Sequence, residues 1–457
     1  MLTTNTEFLH AELMDVVRLF GPDAPDLSHS FLYAENNFIN TVIAEGREFA
    51  YRDEYPCADE LEFKRYAKRF AKLAVYNALK TLTGKTMPWG ALTGIRPTKL
   101  AYGEREQGRP FEPMFEKFGV APENIALVGD VLAAQEGIYG REEGAADLYI
   151  GIPFCPSKCN YCSFITADIG KTEKYLESYL SALEKEIAGC AGLYKNLKSI
   201  YIGGGTPLVL HTEQLRRVLE AAEPFARRGI EYTVEAGRPD VFTEEKLALL
   251  QEYGVTRVCV NPQSFCNETL ERIGRKHTAE DIYRAYEMAR RFPFEINFDL
   301  IAGLTGESAA QFEESVDRAV ALAPENITVH TLCLKKGARL KEEESFLEGG
   351  GMAEMIAYAR SRLYAAGYVP YYLYRQKYMA GNFENTGWTK PGKACVYNID
   401  VMEEITDNIA CGANAVTKKL FAGEGRIERL GAPKDIPTYI AKIDKIISDK
   451  RALFCKK

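Results

Sequence analysis

Tyr149-Ile-Gly-Ile-Pro-Phe-Cys155-Pro-Ser-Lys-Cys159-Asn-Tyr-Cys162-Ser163 places three thiols within eight residues, directly after an apolar, strand-like run. Spacing of this kind on one short loop belongs to a metal site, because soft thiolates suit iron-sulfur clusters, zinc or cuprous copper. A closed structural zinc site needs a fourth ligand, usually in a second pair at regular spacing. None lies nearby, and the next cysteine, Cys190, falls in a stretch with helical periodicity. A cubane held by Cys155, Cys159 and Cys162 keeps one iron open for another ligand.

The same pattern is repeated outward from this loop. Six units can be counted from residue 148, each a short β-branched run, a loop and ten or more residues with helical spacing. The runs at 148–152, 199–202, 231–235, 257–260, 295–301 and 326–332 read as strands. Helices are expected at 173–188, 213–226, 244–253, 279–291 and 308–322, opened by Thr172, Thr212, Thr243, Thr278 and Glu307. Alternation of strand and helix means a parallel sheet with crossover helices, and right-handed crossovers curl such a sheet towards a barrel. Periodicity alone also fits an open, doubly wound sheet.

Residues 1–144 are of another kind. Alternation at 38–42 and 48–52 suggests a hairpin, followed by a long helix at 60–82, so an α+β domain is expected with a boundary near Gly144. After residue 334 the periodicity weakens, and 341–457 is expected as a smaller module carrying an aromatic run at 368–378, a Gly-rich loop at 381–392 and an apolar stretch at 409–416. At 457 residues, 46% hydrophobic and 26% charged, the composition is that of an ordinary multidomain globular protein. A net charge of −7 without a long basic run argues against nucleic acid as partner. Eleven scattered cysteines, no basic leader and no apolar run of spanning length point to the cytoplasm without a membrane span.

Chemistry is expected where the strands end. The second closes in Tyr201-Ile-Gly203-Gly204-Gly205-Thr206-Pro207, whose glycines bare the backbone to a ligand. Glu235 ends the third strand, Gln263 follows the fourth, and Asp299 sits between Phe298 and Leu300 on the fifth, where an unpaired carboxylate is costly to bury.

CxxxCxxC with Tyr161 before its last cysteine resembles the cluster loop of the radical S-adenosylmethionine (SAM) enzymes. The resemblance implies a six-unit partial (β/α) barrel, a 4Fe-4S cluster on Cys155, Cys159 and Cys162, and SAM on the open iron. It implies that Gly203, Gly204, Gly205 and Thr206 receive the methionine end of SAM. Within the branch related to coproporphyrinogen oxidation, the positions that contact SAM match Glu235, Gln263, Arg275, Asp299 and the aromatic Tyr149. The segments at 91–98 and 379–385 resemble the subgroup of coproporphyrinogen dehydrogenases that has an extra N-terminal domain.

The activity implied by the resemblance is oxygen-independent oxidative decarboxylation of two propionates of coproporphyrinogen III to vinyl groups, fed by an electron donor such as a flavodoxin or ferredoxin. Two alternatives stay open: a heme-binding chaperone of the same family, for which His211, His277 and His330 are possible ligands, and a radical SAM enzyme on another substrate. The family's oxidases carry a His two residues after the strand aromatic and an extra Cys two residues beyond the third ligand; this chain has Gly151 and Phe164. Lys335, Lys336, Arg339, Arg375 and Lys377 could meet the substrate carboxylates, although each reads more simply as surface charge. No catalytic side chain is assigned.

Overall fold

A computed structural model describes all residues except 95, 165, 334–350, 377, 378, 422–424 and 457, so Lys335, Lys336, Arg339 and Lys377 lie outside the described residues. The chain divides into two compact units, Met1–Asp130 with Tyr374–Glu384, and Val131–Leu373 with Asn385–Lys457.

The first unit is built on a four-stranded sheet of β1 (Leu2–Thr4), β2 (Leu27–Ala34), β3 (Asn37–Ala44) and β4 (Arg47–Glu54), in that order. Two-residue turns join β2 to β3 and β3 to β4, with positive φ at Glu35, Asn36, Glu45 and Gly46, the backbone that tight hairpins require. The long helix Glu60–Thr83 starts where Asp59 accepts the Glu62 N–H and ends at Gly84, φ 70°. It covers β3, with Phe38 buried between Phe63 and Phe70 at ring separations of 5.8 and 5.2 Å. Strands β1 and β2 and the helix Glu7–Val17 add to the expected hairpin and long helix. Arg375 is buried here: it donates to Leu92 O and Asn382 Oδ1, both at 2.5 Å, and lies 5.0 Å from the Trp89 ring. It is a clamp within this unit rather than a free surface cation.

The second unit holds six parallel strands at the expected places: β5 (Ala145–Ile152), β8 (Asn196–Gly204), β9 (Glu231–Gly237), β10 (Arg257–Gln263), β11 (Glu295–Ala302) and β12 (Asn326–Thr331). Two short strands, β6 (Phe154–Cys155) and β7 (Ala167–Asp168), pair with each other within the cysteine loop region. The six pair strictly in chain order, β5-β8-β9-β10-β11-β12, each parallel to the next. A doubly wound sheet reverses its order at a switch point. This one never does, so its crossovers stay on one side and the sheet curls into an open, partial barrel.

The described residues after 350 do not stand apart as one module. Strand β13 (Val369–Tyr374) and β14 (Asn385–Thr389) extend the sheet beyond β12, while β15 (Asp407–Cys411), β16 (Val416–Phe421) and β17 (Arg426–Gly431) extend it beyond β5, making eleven strands among the described residues. The physical reason is that an open barrel leaves both edge strands unpaired, and the tail satisfies them: β15 runs parallel to β5, and β14 antiparallel to β12. The first unit ends at Asp130, short of the boundary expected near Gly144.

The helices Leu176–Gly189, Thr212–Ala222, Glu244–Glu252, Ala279–Arg290 and Ala309–Leu322 connect the strands. Thr243 and Thr278 cap theirs, but His211 and Ser308 stand at the caps expected at Thr212 and Glu307. Thr172 lies in a short preceding turn, its hydroxyl on Asp168 O. No described helix is long and apolar enough to cross a membrane.

Strand parity sorts the side chains. Ile150, Ile202, Val234, Val260, Phe298 and Ile327, one from each strand, are fully buried on the face the helices cover, as the 5.5 Å ring contact of Phe298 with Tyr286 shows. Burying each such side chain contributes about 1.5–3 kcal/mol. The opposite parity turns Tyr149, Tyr201, Glu235, Asp299 and His330 into the barrel lumen. Parallel strands buried on both faces normally read as continuous apolar runs. A polar lumen is the exception that makes room for a ligand.

Candidate functional site

Two segments meet where β5 and β8 end. Ile152 O accepts the Gly205 N–H at 2.7 Å, and Phe154 O accepts the Thr206 N–H at 2.8 Å, so the cysteine loop and the glycine run are joined backbone to backbone. The approach leaves no room for a side chain. A Cβ on Gly205 would lie 2.5 Å from Phe154 O and 3.0 Å from Cys155 Sγ, and one on Gly203 would lie 2.9 Å from Glu235 Oε2. Thr206 Oγ1 reaches Cys155 Sγ at 3.5 Å.

The loop is clamped by the segments that follow β9 and β10. Arg275 donates to Tyr161 OH at 2.8 Å and to Asn261 O at 3.1 Å. Asn160 bonds Ile273 O through its N–H at 3.0 Å and Arg272 O through Nδ2 at 2.9 Å. Arg238, held by Asp240 at 2.9 and 2.7 Å, donates to Ser157 Oγ at 2.6 Å. Two arginines therefore fix the loop from below, and the Arg275 guanidinium keeps only its Nε without a partner.

Burial is the main cause that pushes the Cys155 and Cys162 thiols up, and the neighbouring Cys159 adds to it in both. A cation that binds Cys155 and Cys162 must therefore expel their protons. Among the described residues no three His, Cys, Asp or Glu side chains converge on a single ion. A cluster that offers a separate iron to each thiolate needs no such convergence.

In the lumen, Glu235 Oε1 accepts from Tyr201 OH at 2.5 Å, and Oε2 from the Gly204 N–H at 3.3 Å. Burial raises its pKa, the Tyr201 bond works against that, and nearby Asp299 adds to the rise. Asp299 Oδ1 lies 3.7 Å from His330 Nε2 on the adjoining strand. The Tyr149 and Tyr201 rings run nearly parallel, 6.3 Å apart at 18°. Gln263 is held at φ 70°, where a side chain carries backbone strain, and its buried Oε1 has no partner; buried Asn261 Oδ1 has none either. Both irregularities fall where β10 shifts register against β11.

The residues singled out from the sequence are thus divided between two sets that adjoin at Gly203 to Thr206. Cys155, Cys159, Cys162, Tyr161, Arg275 and Thr206 form the loop side, and Tyr149, Gly203, Gly204, Glu235 and Asp299 the lumen side. The possible heme ligands are scattered. His211 stands exposed before a helix, His330 faces the lumen, and His277 is buried near Arg275, its pKa lowered to about 4 chiefly by that burial. Gly151 lies under Tyr149: a Cβ there would meet Cys411 O at 3.2 Å and the Tyr149 ring at 3.3 Å. Phe164 is exposed.

Sequence reasoning missed Tyr201 and Arg238. Tyr201 was available from parity, two residues before Gly203 on a strand of period two. Arg238 follows β9 with no distinguishing neighbour.

Residues 149–319 match the radical SAM superfamily model. The chain is 34% identical to the oxygen-independent coproporphyrinogen-III oxidase-like protein HemZ of Bacillus subtilis (strain 168), over 97% of this chain and 95% of that protein. It is 37% identical to the heme chaperone HemW of the same organism over 41% of this chain and 50% of that protein. Of solved structures, the coproporphyrinogen III oxidase HemN of Escherichia coli, described as a radical SAM enzyme, is similar with a TM-score of 0.55 at 21% identity, covering 69% of this chain and 72% of that one. Radical SAM proteins use a 4Fe-4S cluster and SAM. The three adjacent thiols, the side-chain-free cradle at Gly203 and Gly205, and the unpartnered oxygens of Gln263 and Asn261 fit such a pair.

Proposed function

The chain belongs to the radical SAM superfamily, among the oxygen-independent coproporphyrinogen-III oxidase-like proteins, and we propose that it decarboxylates two propionates of coproporphyrinogen III to vinyl groups, giving protoporphyrinogen IX. The observation that carries this reading is the likeness to the oxidase-like relative along 97% of the chain, N-terminal unit included. Each propionate gives up a β-hydrogen atom, carbon dioxide and one electron. When bound, the cluster and SAM supply a carbon-centred radical able to take a hydrogen atom from an unactivated C–H.

The chain's own residues hold and orient. Cys155, Cys159 and Cys162 are the cluster ligands, and the bonds from Arg275 and Arg238 to Tyr161 and Ser157 keep their loop in one conformation. Glu235, aimed by Tyr201 OH and the Gly204 N–H, and Asp299, beside His330, present acceptors to the cationic and hydroxyl groups of SAM. Gly203, Gly204, Gly205 and Thr206 admit its methionine end, while Tyr149, Gln263 and Arg275 border the same space. The lumen's task is positioning and exclusion of water and of stray hydrogen donors. An external electron donor, such as a flavodoxin or ferredoxin, and the cytoplasm complete the reading.

Heme chaperoning is the second reading, favoured by the 37% identity to a heme chaperone over 41% of the chain. Anaerobic incubation of reconstituted protein with SAM, a low-potential reductant, an electron acceptor and coproporphyrinogen III separates the two. Loss of two carboxyl groups by mass spectrometry, with 5′-deoxyadenosine formed, is expected. Stoichiometric heme binding without porphyrinogen turnover would overturn the decarboxylase reading.

A further inference from the structure

The tail sends one ring into the lumen. Tyr397 is the second residue of the helix Val396–Glu403, and its ring lies 4.3 Å from that of Tyr201 at 20° and 6.4 Å from that of Tyr149 at 17°. With the Tyr149–Tyr201 contact, three nearly parallel phenol rings stack in offset fashion. Tyr201 is the member whose direction matters, because its hydroxyl holds Glu235 Oε1 at 2.5 Å.

Tyr397 is itself fixed from the strand that bears Glu235. Glu231, four residues earlier on β9, accepts the Val396 N–H at 2.9 Å and the Tyr397 N–H at 3.0 Å, and Cys395 Sγ lies 3.3 Å from it. One strand therefore anchors the start of the tail helix at one point and carries the lumen carboxylate at another. The stack of Tyr397 on Tyr201 closes the circuit between them.

We infer that Tyr397 is a positioning residue for SAM: its ring face holds Tyr201 in the orientation that directs Glu235 into the lumen, so the tail sets how well the barrel binds SAM. The inference rests on the reading that Glu235 receives SAM. The role belongs to the flat ring and not to the Tyr397 hydroxyl, since the contact is face to face. Leucine at 397 fills the space but leaves Tyr201 free to turn away.

Six groups face Glu235 and set its response to such a turn. They are Tyr149 on β5, Tyr201 on β8, Cys259 on β10, Asp299 on β11, His330 on β12 and Tyr397 on the tail helix. Burial and Asp299 favour the neutral acid, while Tyr201 and the Gly204 N–H favour the carboxylate. Without the Tyr201 bond, Glu235 takes up its proton at a higher pH, and SAM binding fails sooner as pH falls.

The test is SAM binding by calorimetry to oxidised, cluster-loaded full-length protein, with iron content measured beside it, across a pH series. Y397L is expected to bind SAM about tenfold more weakly, the worth of one hydrogen bond to a charged acceptor, with full iron content. Its binding is also expected to fail at a higher pH than that of the parent. Y397F, which keeps the ring face, restores most of the affinity. Y201F removes the hydrogen bond and keeps the stack, so it reproduces the Y397L defect and serves if Y397L does not fold. Parental affinity and pH profile in Y397L, or in Y201F, would overturn the inference. E235Q is the control: if it too binds SAM like the parent, the reading of the lumen fails; if only E235Q is impaired, the role of Tyr397 alone fails.

Discussion

On the helix-facing side of the six parallel strands, Ile150, Ile202, Val234, Val260, Phe298 and Ile327 have no exposed surface. On the other side of the same strands stand Tyr149, Tyr201, Glu235, Asn261, Asp299 and His330: Tyr201 OH donates to Glu235, Asp299 lies 3.7 Å from His330, and Asn261 Oδ1 has no partner. Alternate residues of one backbone therefore do two kinds of work. The apolar parity is saturated with contacts and specifies the fold. The polar parity leaves buried acceptors such as Asn261 Oδ1 and Gln263 Oε1 without a partner, which is costly in an empty interior and useful in one that receives a polar cofactor.

The sharpest break concerns the loop that adjoins both faces. Cys155→Ala, Cys159→Ala and Cys162→Ala are each expected to abolish cluster incorporation, measured as iron content and visible absorption after reconstitution. Cys190→Ser and Cys455→Ser keep the cluster, because Cys190 is buried against Cys411 at 3.5 Å and Cys455 is exposed near the C-terminus. A cysteine of the loop that can be replaced without loss of iron would undo the assignment.

Neighbours of opposite parity sharpen the comparison further. Phe298→Ala removes a fully buried ring that meets Tyr286 and Phe265, and is expected to cost about 3–5 kcal/mol in denaturant unfolding. Asp299→Asn, one residue on, is expected to change stability by about 1 kcal/mol or less while weakening SAM binding in calorimetry. Equal losses of stability at 298 and 299 would contradict the division of labour.

A pH dependence is expected near the start of β5. Asp147 accepts from Ser199 Oγ at 2.6 Å and Thr406 Oγ1 at 2.7 Å, and burial, with the Asp400 carboxyl as second cause, pushes its pKa up to about 8. An acid whose folded pKa is raised above its unfolded value of about 3.9 stabilises the fold fully at low pH, and that contribution is lost as pH rises through the folded pKa. Tm is therefore expected to fall as pH approaches 8, and Asp147→Asn to flatten this slope in thermal scans.

Much of this was legible in the chain. The six strands and the cysteine loop follow from local pattern, because a strand of period two and ligands in one loop are written within a few residues of each other. Glu235 and Asp299 were visible as carboxylates at odd places in apolar runs. The completion of the sheet was not, since β14 and β15 pair with β12 and β5 across long stretches of chain and no local periodicity encodes a partner at that separation. For the same reason Tyr397 gave no sign of itself, while Arg275, expected beside SAM, places its Nη groups on Tyr161 and Asn261 O. The caps at His211 and Ser308 moved by one residue from the expected threonine and glutamate, within the ordinary uncertainty of helix ends.

The most direct test of a lumen built for cluster and SAM is electron paramagnetic resonance of the reconstituted, reduced protein with and without SAM. The account predicts one 4Fe-4S cluster per chain whose spectrum changes on addition of SAM, and a change that is lost in E235Q. A cluster whose spectrum is the same with and without saturating SAM, or no cluster at all, would contradict it.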